Sequence, residues 1–136
     1  MLFRSRASVT ANAADDPGAA GGGIKVAAGT WAVIRDSAIV SGNSAGVGDG
    51  GGIAVVGRVS VIGTAEVREN TSAGRGGGVW LKGPSGELDL LSSALIVQNQ
   101  GFGGGGGLGY ESSTTPSLGP CGIAIAGNSP NNCESF

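Results

Sequence analysis

A glycine run returns along this chain at a nearly constant interval, and no other feature restricts the fold as tightly. Gly21-Gly22-Gly23-Ile24-Lys25-Val26 recurs as Gly50-Gly51-Gly52-Ile53-Ala54-Val55, then Gly76-Gly77-Gly78-Val79-Trp80-Leu81, then Gly105-Gly106-Gly107-Leu108-Gly109-Tyr110. The last glycines, Gly23, Gly52, Gly78 and Gly107, are spaced by 29, 26 and 29 residues. A second marker keeps the same pace: a small residue, a β-branched residue two positions on, and an asparagine three after that. It stands at Ala38/Val40/Asn43, Ala65/Val67/Asn70 and Ala94/Ile96/Asn99, with weaker copies at Ala7/Val9/Asn12 and Ile123/Ile125/Asn128. Two markers in phase at about 28 residues define a repeat architecture, in which each unit buries its apolar face only by stacking on its neighbours.

Within each repeat three short β-rich segments are separated by turn-formers: Ile24 to Val26, Trp31 to Ile34 and Ser37 to Val40, then Ile53 to Val56, Val59 to Ile62 and Ala65 to Val67, then Val79 to Leu81, Glu87 to Leu91 and Ala94 to Val97. Such segments are too short to pair with their sequence neighbours, whereas stacking lets each pair in parallel with its own copy. The expected fold is all-β: a right-handed, single-stranded parallel β-helix with about 28 residues and three short strands per coil. Residues 1–136 form one segment of it, with repeats near 7–23, 24–52, 53–78 and 79–107 and a degraded terminal coil or cap over 108–136. The segment is expected to belong to a longer solenoid, and its strand edges suggest end-to-end self-association.

Alternation along the strands sends Ile24 and Val26, Ile53 and Val55, Val79 and Leu81, and Leu108 and Tyr110 inward, leaving Lys25, Ala54, Trp80 and Gly109 outward. The core is then an apolar column, which explains how a chain with 29 glycines and only six aromatic residues can be ordered. Gly23, Gly52, Gly78 and Gly107 fit corners where left-handed backbone or close contact between coils leaves no room for Cβ. Asn12, Asn43, Asn70, Asn99 and Asn128 fit another corner as an internal ladder, since Asn tolerates left-handed geometry and its amide can bond turn backbone or its copy one coil above.

These markers resemble the glycine-rich GGA-I/L/V and F-x-x-N repeats of the polymorphic outer membrane (autotransporter) proteins and, more widely, the right-handed β-helices of the pectin-lyase-like superfamily. The likeness runs over nearly the whole chain, with two departures: Gly23-Ile24, Gly52-Ile53 and Gly78-Val79 lack the alanine, and Val40, Val67 and Ile96 stand where the aromatic would be. It implies an exported, adhesin-like passenger. For the enzymes of the superfamily it also implies clusters of Asp, Arg or Lys at equivalent outward positions of consecutive coils.

No such cluster is expected here. Histidine is absent, which removes the commonest general base and metal ligand. Asp15, Asp16 and Asp49 read as solvated turn residues. Gly46-x-Gly48-x-x-Gly51 matches a dinucleotide fingerprint without a βαβ context, Gly48-Asp49-Gly50 lacks the nine-residue calcium-binding period, and the Asn70-Thr71-Ser72 sequon falls on a ladder asparagine. No catalytic, cofactor-binding or metal-binding residue is therefore assigned. Scattered basic residues and a net charge of −2 argue against nucleic acid, and no apolar run is long enough to cross a bilayer. Trp80, placed outward, is the carbohydrate-contact candidate. Cys121 and Cys133 suit a disulfide closing a terminal loop, and hence an oxidising compartment. The expectation is a non-catalytic extracellular or cell-surface scaffold of adhesion type with an unknown protein or glycan ligand. The alternative is a fragment of a polysaccharide-acting enzyme whose active face lies in other coils.

Overall fold

A computed structural model describes residues 2–3, 7–16, 19–112 and 124–136. Among them there is no helix; every regular element is a short strand. The first coil holds β1 (Leu2–Phe3), β2 (Ser8–Thr10) and β3 (Ala13–Ala14), and the second holds β4 (Ile24–Val26), β5 (Trp31–Ile34), β6 (Ile39–Ser41) and β7 (Ser44–Ala45). The third holds β8 (Ile53–Val55), β9 (Arg58–Val61), β10 (Glu66–Arg68) and β11 (Thr71–Ser72). The fourth holds β12 (Val79–Leu81), β13 (Glu87–Leu90), β14 (Leu95–Val97) and β15 (Gln100–Gly101), the fifth holds β16 (Leu108–Tyr110) and β17 (Ile125–Ala126), and β18 (Cys133–Ser135) begins the coil after it.

Every strand pair is parallel, and each strand pairs with its own copy in the adjacent coil, so the chain is a parallel β-solenoid. Four sheets run along it. Sheet 1 is β18-β16-β12-β8-β4, sheet 2 is β1-β5-β9-β13, sheet 3 is β17-β14-β10-β6-β2 and sheet 4 is β15-β11-β7-β3. The register follows the sequence markers: Ile24, Ile53, Val79 and Leu108 stack in sheet 1, and Val9, Val40, Val67, Ile96 and Ile125 in sheet 3. The three anticipated segments are all present. Sheet 4 was not anticipated, because its two-residue strands Ser44–Ala45, Thr71–Ser72 and Gln100–Gly101 carry almost no β-branched or aromatic residues.

The core is a column of aliphatic layers. Sheet 1 supplies Ile24, Val26, Ile53, Val55, Val79, Leu81 and Leu108, sheet 2 supplies Ala32, Ile34, Val59, Val61, Leu88 and Leu90, and sheet 3 supplies Ala and Val or Ile pairs such as Ala65 and Val67, all buried. Each buried Val, Leu or Ile contributes about 1.5–3 kcal/mol. Tyr110 is only partly buried against this column.

The three glycines of each run have separate duties. The first takes a left-handed φ, as at Gly50 (+73°) and Gly76 (+65°). The second lies against the backbone of the next coil: a Cβ on Gly77 would meet the Gly106 carbonyl oxygen at 2.6 Å. The third makes room inside the coil, where a Cβ on Gly23, Gly52 or Gly78 would lie 2.8–2.9 Å from the amide nitrogen of Asn43, Asn70 or Asn99. Close approach, not a left-handed backbone, thus dictates Gly23, Gly52 and Gly78. The asparagines do not adopt left-handed φ either. That turn is made by the residue just before each one: Ala11, Gly42, Glu69, Gln98 and Gly127, at φ between 55° and 64°.

Candidate functional site

Asn43, Asn70 and Asn99 are buried inside the turn between sheets 3 and 4, and their amides form a continuous, polarised ladder. Each asparagine donates both its backbone N–H and its Nδ2 to Oδ1 of the next: Asn12 to Asn43 (3.0 and 3.0 Å), Asn43 to Asn70 (3.0 and 2.9 Å), Asn70 to Asn99 (3.0 and 2.9 Å) and Asn99 to Asn128 (2.8 and 3.0 Å). The second Nδ2 hydrogen goes to a backbone carbonyl of the preceding coil, such as Val40 for Asn70 (3.0 Å) and Val67 for Asn99 (2.9 Å). Asn128 closes the series by donating to Asn132 Oδ1 (3.1 and 3.3 Å). Asn132 is an additional rung that the repeat spacing did not reveal. A buried, fully engaged Asn70 amide is unsuited to glycosylation.

Trp80 is not the exposed aromatic that alternation alone implied. It points away from the aliphatic column, yet it is only 1% exposed. Its register partner Gly109 leaves the space the indole occupies, and a Cβ there would lie 2.9 Å from Trp80 Cε3. The Arg75 guanidinium stacks over the indole at 4.2 Å, and the Phe136 ring packs edge-on with centroids 5.8 Å apart. Alternation reports which side of the strand a residue occupies, but not what covers that side. Asp49 also departs from its reading as a solvated turn residue, since it accepts from the Arg75 backbone N–H (2.6 Å) and pairs with its guanidinium (2.9 Å). Cys133 is disulfide-bonded, while Cys121 and Ile123 lie outside the described residues.

The outer face of sheet 2 corrects the expectation of no charged cluster. The register aligns Trp31, Arg58 and Glu87 in one outward row and Val33, Ser60 and Asp89 in the next. Arg58 donates through Nε (3.0 Å) and Nη2 (2.6 Å) to Asp89 Oδ2, which also accepts from Ser60 Oγ (3.1 Å), and Glu87 Oε2 stands 3.8 Å from Arg58 Nε. The hydrogen bond and the charge of Asp89, then the charge of Glu87, raise the Arg58 pKa above its usual value. The expected strand start at Val59 falls one residue after the observed one and leaves Arg58 out of register with Glu87. Trp31, at the start of β5 in the same outward row, is 58% exposed.

Among the described residues, no group of three or more His, Cys, Asp or Glu is placed to hold a metal ion, and no helix is long and apolar enough to cross a membrane. Comparison with protein-family models, with curated proteins and with solved structures returned no match to this chain. Fold and geometry define the class, a parallel β-solenoid repeat protein with an internal asparagine ladder.

Proposed function

We propose that the chain is a non-catalytic display scaffold of an extracellular or cell-surface protein, an adhesion-type module that holds a ligand-binding face rigid. The supporting observation is the contrast between the two faces of sheet 2. Inward positions repeat the same chemistry from coil to coil, Ala32, Val59 and Leu88 and then Ile34, Val61 and Leu90, whereas the outward positions in register change completely, from Trp31 to Arg58 to Glu87 and from Val33 to Ser60 to Asp89. Inward residues are dictated by stacking. Outward ones are free to be chosen for what they meet. The disulfide at Cys133 agrees with an oxidising compartment. The likeness of the repeat markers to those of polymorphic outer membrane (autotransporter) proteins, within the pectin-lyase-like superfamily, points the same way.

The Arg58, Ser60, Glu87 and Asp89 cluster favours one competing reading, a piece of a polysaccharide-acting enzyme. The geometry argues against Asp89 as a working base. Asp89 Oδ2 already accepts three hydrogen bonds, from two nitrogens of Arg58 and from Ser60, so abstracting a proton there would first require breaking a charge-assisted pair. Incubation of the purified chain with pectin, polygalacturonate, alginate and neutral glucans, followed for unsaturated and reducing ends, tests the proposal. No release above a buffer control is expected, and release from any of these polymers would overturn the non-catalytic reading.

A further inference from the structure

We infer that β18 is a redox-operated cover: the disulfide at Cys133 holds the strand, and with it Phe136, over the Trp80 indole, and reduction of that bond uncovers the ring. This goes beyond the display-scaffold reading and does not depend on it.

Sheet 1 anchors its strands to the core through two inward columns. Ile24, Ile53, Val79 and Leu108 form one, and Val26, Val55, Leu81 and Tyr110 form the other. In β18 these places fall to Cys133 and Ser135. The strand therefore brings no aliphatic side chain to a column whose other layers are held by apolar burial. Cys133 packs against the column only half-buried. A covalent bond stands in for the missing apolar anchor, since Cys133 is disulfide-bonded and the chain's other cysteine is Cys121. Such a bond restricts the open arrangements of the segment that it ties.

What β18 positions is the cover. Phe136 follows the strand directly; its N–H donates to Tyr110 O (2.9 Å), and its carbonyl accepts from Ser112 N–H (2.7 Å). Its ring stands edge-on to Trp80 with centroids 5.8 Å apart, and the Arg75 guanidinium lies 5.2 Å from that ring. Glu134 Oε2 adds acceptance from Gly105 N–H (3.1 Å) and from Asn131 Nδ2 (2.9 Å). These polar and edge contacts set where the strand sits but bury little apolar area. The other cover of Trp80 has its own support, because Asp49 accepts from the Arg75 backbone N–H (2.6 Å) and pairs with its guanidinium (2.9 Å). Opening thus bares the part of the indole beneath Phe136 and leaves Arg75 in place.

The step balances with a dithiol as reductant. Its thiolate attacks one sulfur of the disulfide, the other sulfur leaves and takes a proton, and the second thiol then releases the mixed disulfide. Two electrons pass to the protein, which gains two cysteine thiols, and the dithiol becomes a cyclic disulfide. Glutathione disulfide reverses the change. The cover is accordingly open in a reducing compartment and closes where the chain meets an oxidising one.

The test uses a Trp31→Phe chain, whose remaining tryptophan is Trp80. Acrylamide quenching of its emission and hydrogen exchange of the Phe136 and Ser112 amides are followed after oxidation by glutathione disulfide and after reduction by dithiothreitol, with free thiols counted in each state. Reduction is expected to raise quenching about twofold or more and exchange at those amides about tenfold or more, with β9 and β10 still protected, and reoxidation to restore both. Cys121→Ser keeps the Cys133 side chain but removes the bond, so it should match the reduced chain under either condition. Phe136→Ala, which takes away the ring alone, should give high quenching in both redox states. Equal quenching and exchange in oxidised and reduced chains, a Cys121→Ser variant as protected as the oxidised parent, or a disulfide that dithiothreitol leaves intact would overturn the inference. So would loss of protection across β9 and β10 on reduction, which would make the bond a support of the whole stack rather than of one strand. None of these outcomes bears on the scaffold reading.

Discussion

Removal of a central rung measures how much of the fold the asparagine ladder holds, and Asn70→Ala is the informative change. Truncation deletes four side-chain hydrogen bonds: two accepted by Oδ1 from Asn43 N and Nδ2 (3.0 and 2.9 Å), and two donated by Nδ2 to Val40 O and Asn99 Oδ1 (3.0 and 2.9 Å). Not all the partners are stranded. Asn99 Oδ1 keeps the backbone N–H of residue 70, and Asn43 Nδ2 keeps Val9 O. The Asn43 backbone N–H loses its acceptor inside a residue with no exposed surface, which costs about 1–3 kcal/mol. Adding about 1 kcal/mol for each of two or three further bonds lost gives about 3–6 kcal/mol, a large share of the ~5–15 kcal/mol that holds a domain folded. Asn12→Ala is the internal control. Asn12 is exposed, its Nδ2 makes a single hydrogen bond, and its backbone N–H still reaches Asn43 Oδ1, so about 0.5–1 kcal/mol is expected. Urea titration followed by circular dichroism and by Trp80 emission should move the midpoint of Asn70→Ala by about 1.5 M or more and that of Asn12→Ala by less than about 0.5 M. Equal midpoints for the two variants would refute the assignment of ladder energy to its buried rungs.

Gly51→Ala should abolish cooperative folding or cost more than about 3 kcal/mol, because its Cβ would lie 2.5 Å from the Gly77 carbonyl oxygen, with backbone on both sides unable to yield. Gly29→Ala, with open space around it and φ of +72°, should cost only the left-handed strain of about 1–2 kcal/mol. Thermal melts of the pair check the contrast. Arg75→Ala removes the ion pair to Asp49 and the lid over the Trp80 indole, and should shift tryptophan emission to longer wavelength and lower stability by about 1–2 kcal/mol; unchanged emission would show that Phe136 alone shields the ring.

Repeat length, strand positions and ladder membership were legible in the sequence because each is written several times at fixed spacing, so noise at one coil is corrected by the next. Val40, Val67 and Ile96 identify a sheet together where none of them would alone. What was not legible is whatever occurs once. Arg58 meets Glu87 and Asp89 only through a register set by the shorter third repeat, and a strand start misplaced by one residue hid the cluster. Trp80 lost its expected exposure for a similar reason. Covering Trp80 takes Arg75 from the preceding turn and Phe136 from the far end of the chain, and no periodicity links these to residue 80. The two-residue strands of sheet 4 went unseen because small inward residues such as Ala45 and Gly101 satisfy the corner without any β-forming signature.

The two sequence markers run in phase because they are parts of one device. The carboxamide of each ladder asparagine projects into the coil interior at the point where the glycine run ends, and the distance from a Cβ on Gly23, Gly52 or Gly78 to the amide nitrogen of Asn43, Asn70 or Asn99 is under 3 Å. At Gly107 the corresponding distance to Asn128 is 2.6 Å. A side chain at the glycine would displace the amide, and a displaced amide would leave backbone donors and acceptors of two coils unpaired in the interior. Conversely, an apolar residue in place of the asparagine would remove the reason for that glycine but leave the carbonyls of Val40 and Val67 one donor short. Neither marker can drift without the other. The first glycine of the run, left-handed, and the second, pressed on the neighbouring coil, answer to the backbone alone. The third answers to the asparagine about 20 residues further on, which ties the two corners of each coil together and fixes its cross-section before any outward residue is chosen.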